Sequence, residues 1–210
     1  MTHPSAERIL GLYGDRADDW IADRGAVLHP GDGGGLDEAT WIGRFSDGLA
    51  PAAHVLDVGC GSGWPMGATL LSRGFRVRGV DASPGLIAHA AATLPQGEWS
   101  LGDMRQGLPE GAFDGVLAWH SLFHLSPDDQ QAVLPELAGR VAPGGRLLFT
   151  SGHAHGEVIG GWRGQPLYHA SLDPDAYRAL LVEAGLMVEI DGATTGQGVW
   201  LTRRAFLSAK

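Results

Sequence analysis

At 210 residues, 44% hydrophobic and 19% charged, the chain has the make-up of one globular domain with a sizeable core, and no apolar run approaches the roughly 20 residues of a bilayer span. A net charge of −9 argues against a nucleic-acid partner, because that binding rests on Lys and Arg neutralising phosphates. Cys60 is the single cysteine, which excludes an internal disulfide and any multi-cysteine metal site and fits a reducing compartment.

The N-terminal MTHPSAERIL has neither a charged leader before a long apolar stretch nor a small-residue cleavage site, so a cytoplasmic location is expected. Two helical candidates follow, over residues 4–24 and 36–50, separated by the glycine-rich HPGDGGG. We expect residues 1–50 to form a helical cap over the ligand end of a sheet, as part of the same domain as residues 51–210. The HPGDGGG loop is either a hinge that admits ligand or a plain surface loop.

From Ala53 onward, short apolar runs alternate with longer amphipathic segments, which is the pattern of βα units. AHVLDV, FRVRGVD, GEWSLGD, FDGVLAW and GGRLLFTSG read as five strands. The segments after the first, second and fourth of these read as helices, two of which open on a Ser-Pro pair: serine caps, and proline suits the first helical position. After the helix DPDAYRALLVEAGL, the runs MVEIDG and GVWLTRRAF are too close for a helical crossover and read as an antiparallel pair. The sum is an α/β fold with a doubly wound sheet.

In such a sheet ligands bind beyond the carboxyl ends of the strands. VLDVGCGSGWPM, at residues 55–66, ends strand one and carries Gly59, Gly61 and Gly63, but position 64 is Trp, so the third glycine of a dinucleotide fingerprint is missing. Asp57 sits two residues before the first glycine, where it repels a pyrophosphate and suits a cation. S-adenosylmethionine, with its ammonium and sulfonium, fits this pattern. Gly59 and Gly61 let the backbone approach the methionine and ribose portion. Asp81, with Ala82 beside it, ends strand two and is placed for two ribose hydroxyls. Asp103 and Met104, at the end of strand three, suit the adenine amino group and ring face.

Through VLDVGCGSG, VDASPGLI, LGDM, FDGVLAWHSLFHL and VAPGGRLLFTSG, the sequence resembles the class I S-adenosylmethionine-dependent methyltransferases over residues 53–152. Its tail, from EVIGGWRGQPLYHASL onward, is similar to a bacterial small-molecule subgroup. The resemblance implies a Rossmann-like seven-stranded sheet of order 3-2-1-4-5-7-6 with strand 7 antiparallel. It also implies S-adenosyl-L-methionine as cofactor, S-adenosyl-L-homocysteine as product, and contacts from Asp57, Gly59, Gly61, Asp81, Asp103 and Met104. Trp64-Pro65 departs from the family pattern; Trp64 either caps the cofactor's methionine end or packs beneath the N-terminal helices.

Trp119, His120 and His124, at the end of strand four, line the site on this reading. His120 and His124 have the i,i+4 spacing of a metal pair, but HSLFH lacks the Glu of HExxH and no third ligand is evident, so no metal is expected. His120 reads instead as a residue that orients the acceptor or takes its proton, against the plainer reading of a hydrogen-bonded wall residue. His153, His155 and Glu157 alternate where an acceptor enters and read as further acid-base or substrate groups, against a solvated loop. Trp162, Tyr168 and His169 are substrate-side candidates. Tyr13, Trp20 and Arg24 share one helix face, either a packed stripe or, if the cap closes, cofactor contacts with Tyr13 and Arg24 reaching the carboxylate. The expected function is direct in-line methyl transfer to an oxygen or nitrogen of a small molecule. The rivals are a non-catalytic S-adenosylmethionine-binding or regulatory protein and an NAD(P)-dependent oxidoreductase, the latter opposed by Asp57 and the missing glycine.

Overall fold

The computed structural model describes residues 4–31, 35–152, 155–192 and 198–206. Five parallel strands start at β1 (His54–Val58), whose residues 55–58 are all buried. They continue with β2 (Arg76–Asp81), β3 (Glu98–Leu101), β4 (Phe113–Ala118) and β5 (Val141–Thr150). With β8 (Leu186–Ile190) and β9 (Val199–Arg204) they form one seven-stranded sheet in the order β3-β2-β1-β4-β5-β9-β8. β9 runs antiparallel to both β5 and β8. Counting along this sheet alone, that is the expected order with its seventh strand reversed.

Alternate residues of the central strands serve opposite faces. Leu56, Val58, Val116, Leu147, Phe149 and Trp200 enter the core under α6 (Pro127–Gly139) and α7 (Pro174–Glu183). Val55, Val77, Leu117, Leu148 and Leu201 meet Trp41, Ile42 and Phe45 of α3 (Glu38–Ser46) and Leu70 of α4 (Met66–Ser72). Both faces are covered, as a parallel sheet requires. The Ser-Pro segments cap as expected: Ser83 Oγ accepts from Leu86 N ahead of α5 (Pro84–Thr93), and Ser126 Oγ from Asp129 N ahead of α6.

Three features differ from the sequence expectation. The stretch 4–24 is two helices, α1 (Pro4–Asp15) and α2 (Ala17–Arg24), broken at Arg16 just after Gly11 and Gly14, residues of poor helix propensity. Of the N-terminal helices, α3 lies on a face of the sheet, while α1 and α2 lie at its ligand end. Residues 156–171, read as loop and isolated candidates, form an antiparallel hairpin, β6 (Gly156–Trp162) and β7 (Gln165–Ser171), separate from the main sheet. Its two turn residues, Arg163 and Gly164, have φ of +48° and +75°, the conformation of a tight hairpin turn. Tyr168 and Ala170 of β7 pack on Ala6 and Ile9 of α1, so hairpin and N-terminal helix share a small core of their own.

Candidate functional site

A cleft of about 1010 Å³, partly open to solvent, lies beyond the carboxyl ends of β1 to β4 and beneath α1 and α2. That is the position where open α/β sheets take ligands. Tyr13, Trp20 and Arg24 line it from the N-terminal helices, and Asp57, Gly59, Gly61 and Trp64 from the first loop. Asp81, Ala82, Asp103 and Met104 follow from the ends of β2 and β3, and Trp119, His120 and His124 from the end of β4.

The floor is acidic. Asp57, 2% exposed, is pushed up to about 7 by burial and by the nearby Asp81 carboxylate. Among the described residues no donor serves it. Asp81 is better supported, accepting from Gly61 N at 2.9 Å and Ser83 N at 2.9 Å; burial still outweighs these bonds and raises it. Gly59 turns at φ +72°, and a Cβ there would stand 2.3 Å from Ser121 Cβ. Gly61 turns at φ +57°, and a Cβ there would meet only Trp20, at 3.7 Å; it would stand in the cleft itself. Cys60 is buried, and burial followed by Asp57 raises its thiol far from reactivity. Trp64 donates from Nε1 to Thr93 Oγ1 at 3.1 Å, which fixes the indole against the end of α5. Asp103 differs from expectation in being already engaged, by the guanidinium of Arg105 at 2.6 Å.

The wall at the end of β4 is built of histidines. His120 has φ +52°, unusual for a non-glycine residue, and its N–H donates to Thr150 Oγ1 at 2.8 Å. Its side chain is 37% exposed toward the cleft, and its desolvated surroundings push it down to about 4 against the pull of Glu38. His124, in a single 3₁₀ turn (Leu122–His124), faces the carbonyl of Tyr168 at 2.9 Å with Nδ1 and the hydroxyl of Tyr13 at 2.9 Å with Nε2. A carbonyl only accepts, so Nδ1 carries the proton and Nε2 accepts from Tyr13. Burial pushes His124 down to about 3, which keeps it in this neutral tautomer. It bridges α1 and the hairpin besides facing the cleft.

Unlike His120, the other described substrate-side candidates, His155, Trp162, Tyr168 and His169, lie apart from the cleft lining. His155 is exposed ahead of β6, and His153 lies outside the described residues. Tyr168 is fully buried, with its hydroxyl donating to Glu157. His169 stacks on His124 with centroids 5.0 Å apart and meets Phe123 edge-on. Trp162 packs edge-on against Trp20 at 5.8 Å and donates to Asp23 Oδ2 at 2.8 Å.

Sequence reasoning missed Glu38. It is 1% exposed and accepts from Arg24 Nη2 at 2.6 Å, Trp119 Nε1 at 2.8 Å and His29 N at 2.8 Å. Burial works to raise its carboxyl, and these donors together hold it below the ordinary range. As one acid in the first turn of a helix it carries no distinguishing sequence signal.

Residues 55–145 match the family described as a methyltransferase domain. Among curated proteins, the trans-aconitate 2-methyltransferase of Azoarcus sp. strain BH72 is 35% identical over 48% of this chain and 40% of its own length. The 2-methyl-6-phytyl-1,4-hydroquinone methyltransferase of Synechocystis sp. strain PCC 6803 is 32% identical over 67% of this chain and 43% of its own. The chain thus spans about two fifths of the length of these relatives. Among solved structures, the S-adenosylmethionine-bound amino pentose methyltransferase CalS10 of Micromonospora echinaspora superposes with a TM-score of 0.61 at 21% identity, over 92% of each chain.

Proposed function

We propose that the chain, whose residues 55–145 match a methyltransferase domain, is a class I S-adenosylmethionine-dependent methyltransferase that methylates an oxygen or nitrogen of a small molecule. The observation that carries this reading is Asp57: a buried carboxylate with no donor among the described residues, beside a second acid, in a glycine-turned cleft. Such a group is stabilised by a cationic ligand and repels a phosphate.

The residues present fit S-adenosylmethionine, which supplies an activated methyl group on a sulfonium when bound. Asp57 with the backbone at Gly59 and Gly61 would hold the methionine portion, and Asp81 with Ala82 the ribose. Met104 and Asp103 would hold the adenine, Asp103 sharing its carboxylate with Arg105. Tyr13, Trp20 and Arg24 would close the cleft from the N-terminal helices, Trp64 would border it from the first loop, and Trp119 and His124 would wall it. His120, neutral near pH 7, steers the acceptor and takes its proton, while the tryptophans exclude water. His155, Trp162, Tyr168 and His169 contribute through the hairpin that shapes the acceptor entrance. His153, outside the described residues, keeps its place as a second acid-base candidate.

We read residues 1–50 as part of the same domain, with α1 and α2 as its lid. A lidded cleft on a chain of net charge −9 favours a small acceptor over a nucleic acid. Among the described residues no helix is long and apolar enough to cross a membrane. The lone cysteine favours the reducing cytoplasm.

Calorimetry with S-adenosylmethionine, S-adenosylhomocysteine and NAD tests the cofactor, and heat with NAD alone would refute the reading. S-adenosylhomocysteine release across a panel of phenols, amines and carboxylates tests turnover. His120→Ala is expected to lower that turnover by roughly 100-fold; full activity with an unchanged pH profile would remove His120 from the mechanism.

A further inference from the structure

The carboxylate of Glu38 gathers groups from three distant places. Its Oε1 accepts from Arg24 of α2 and from Trp119 at the end of β4, and lies 3.8 Å from Nε2 of His120. Its Oε2 accepts from His29 N, and its own backbone N–H donates back to the His29 carbonyl at 3.0 Å, so that loop and helix hold the carboxylate from both ends. With Trp119 and the reciprocal His29 bonds fixing it, the carboxylate has little freedom to move away from His120.

We propose that Glu38 is a positioning residue for proton transfer: it keeps the hydrogen of the His120 ring on Nε2, leaves Nδ1 as the lone pair for the acceptor, and stabilises the imidazolium that forms. The inference rests on the methyl-transfer reading of the same site. In the step itself the O–H or N–H bond of the acceptor breaks, its electron pair stays on the acceptor atom, and the proton bonds to Nδ1. The ring then carries a positive charge whose acidic partner within 4 Å, among the described residues, is Glu38. At 3.8 Å the neutral ring stands beyond hydrogen-bond length, and charge formation draws the pair together. The groups facing His120 are Glu38, which favours the charged ring, and Arg24, His29 and His169, which oppose it. Glu38 is therefore the anion in that set, and an imidazolium formed without it meets only opposing charges.

Nitrogen-15 NMR of the histidine rings in the intact protein reads the tautomer at neutral pH, with His120 assigned by comparison with His120→Gln. We expect the Nε2–H form at His120; a dominant Nδ1–H form overturns the proposal before any further variant is made. Glu38→Gln is expected to shift that tautomer balance and to lower kcat at least about tenfold, with S-adenosylhomocysteine affinity within a few-fold of the parent. Trp119→Phe, which keeps the charge and removes one tether, should show a smaller loss in the same direction. A Glu38→Gln protein with the parent's kcat refutes the assignment. If the parent fails to bind S-adenosylmethionine, the methyl-transfer reading falls, whereas the tautomer measurement still decides whether Glu38 orients His120.

Discussion

Asp57 is held near 7 because water is withdrawn from it and Asp81 stands close by, while among the described residues no N–H compensates. A carboxyl whose folded-state value lies above its unfolded one binds its proton more tightly in the folded chain. Its ionisation therefore costs stability, and the cost appears as pH rises from about 4 to about 7. Asp57→Asn should raise the melting temperature of the ligand-free protein at pH 8, by the equivalent of about 1–3 kcal/mol, and leave it nearly unchanged at pH 4. The same substitution should weaken S-adenosylmethionine binding, and the parent's own affinity should fall as pH drops through 7. Calorimetry across pH 6–8 together with thermal melts checks both; an affinity indifferent to the substitution would separate Asp57 from the cofactor. The place of the glycines and acids of this loop in the cleft was legible in the sequence because it depends on neighbours within a few residues. Glu38 was not, since the indole it binds lies 81 residues along the chain.

Between elements, the hairpin tip is fastened to α2. Arg163 meets Asp23 at 2.7 Å and Asp19 through a second arm, and Trp162 adds its own bond to Asp23. These groups are exposed, so the ion pairs are screened by salt and add little to global stability. Their effect is local, because α2 carries Trp20 and Arg24 over the cleft. Arg163→Ala should leave the melting temperature almost unchanged while speeding amide exchange in α2 and the hairpin, and raising the KM for cofactor. High salt should reproduce the effect in the parent. Unaltered exchange in α2 would show that the shared core of Ala6, Ile9, Tyr168 and Ala170 holds the lid without the latch. The hairpin itself escaped sequence reading because β6 is glycine-bearing and mostly exposed, without the in-and-out alternation of a half-buried strand. Its one local mark was Arg163-Gly164, where both residues adopt positive φ.

Across the whole molecule, buried titrating groups pull in opposite directions. His120 and His124 are lowered to about 4 and about 3, so the unfolded chain takes up their protons first as pH falls below 6.5, and stability is lost from there down through those values. Asp57 and Asp81 oppose this, since protonation relieves their burial. We expect the two effects to offset each other in part from about pH 6.5 to 4, so that the decline there is shallow, and the decline to steepen below about 4, where the acids no longer compensate and His124 still resists protonation. His124→Gln should flatten that decline by about 1–3 kcal/mol between pH 6.5 and 4, measured by chemical denaturation. An identical slope in the variant would mean that other groups drive acid unfolding.

By itself the sequence determined the parallel sheet, the caps of its helices and the acid-and-glycine seat at the ends of β1 and β2. Each of these is written in local spacing: alternation along a strand, serine before proline, glycine beside aspartate. Only the tertiary structure decided that the 4–24 stretch breaks into two helices, that the hairpin closes on them, and that Glu38 stands behind His120. Those outcomes come from docking distant segments into one buried space, where a charge must find partners or remain uncompensated, and no local pattern specifies which segments meet.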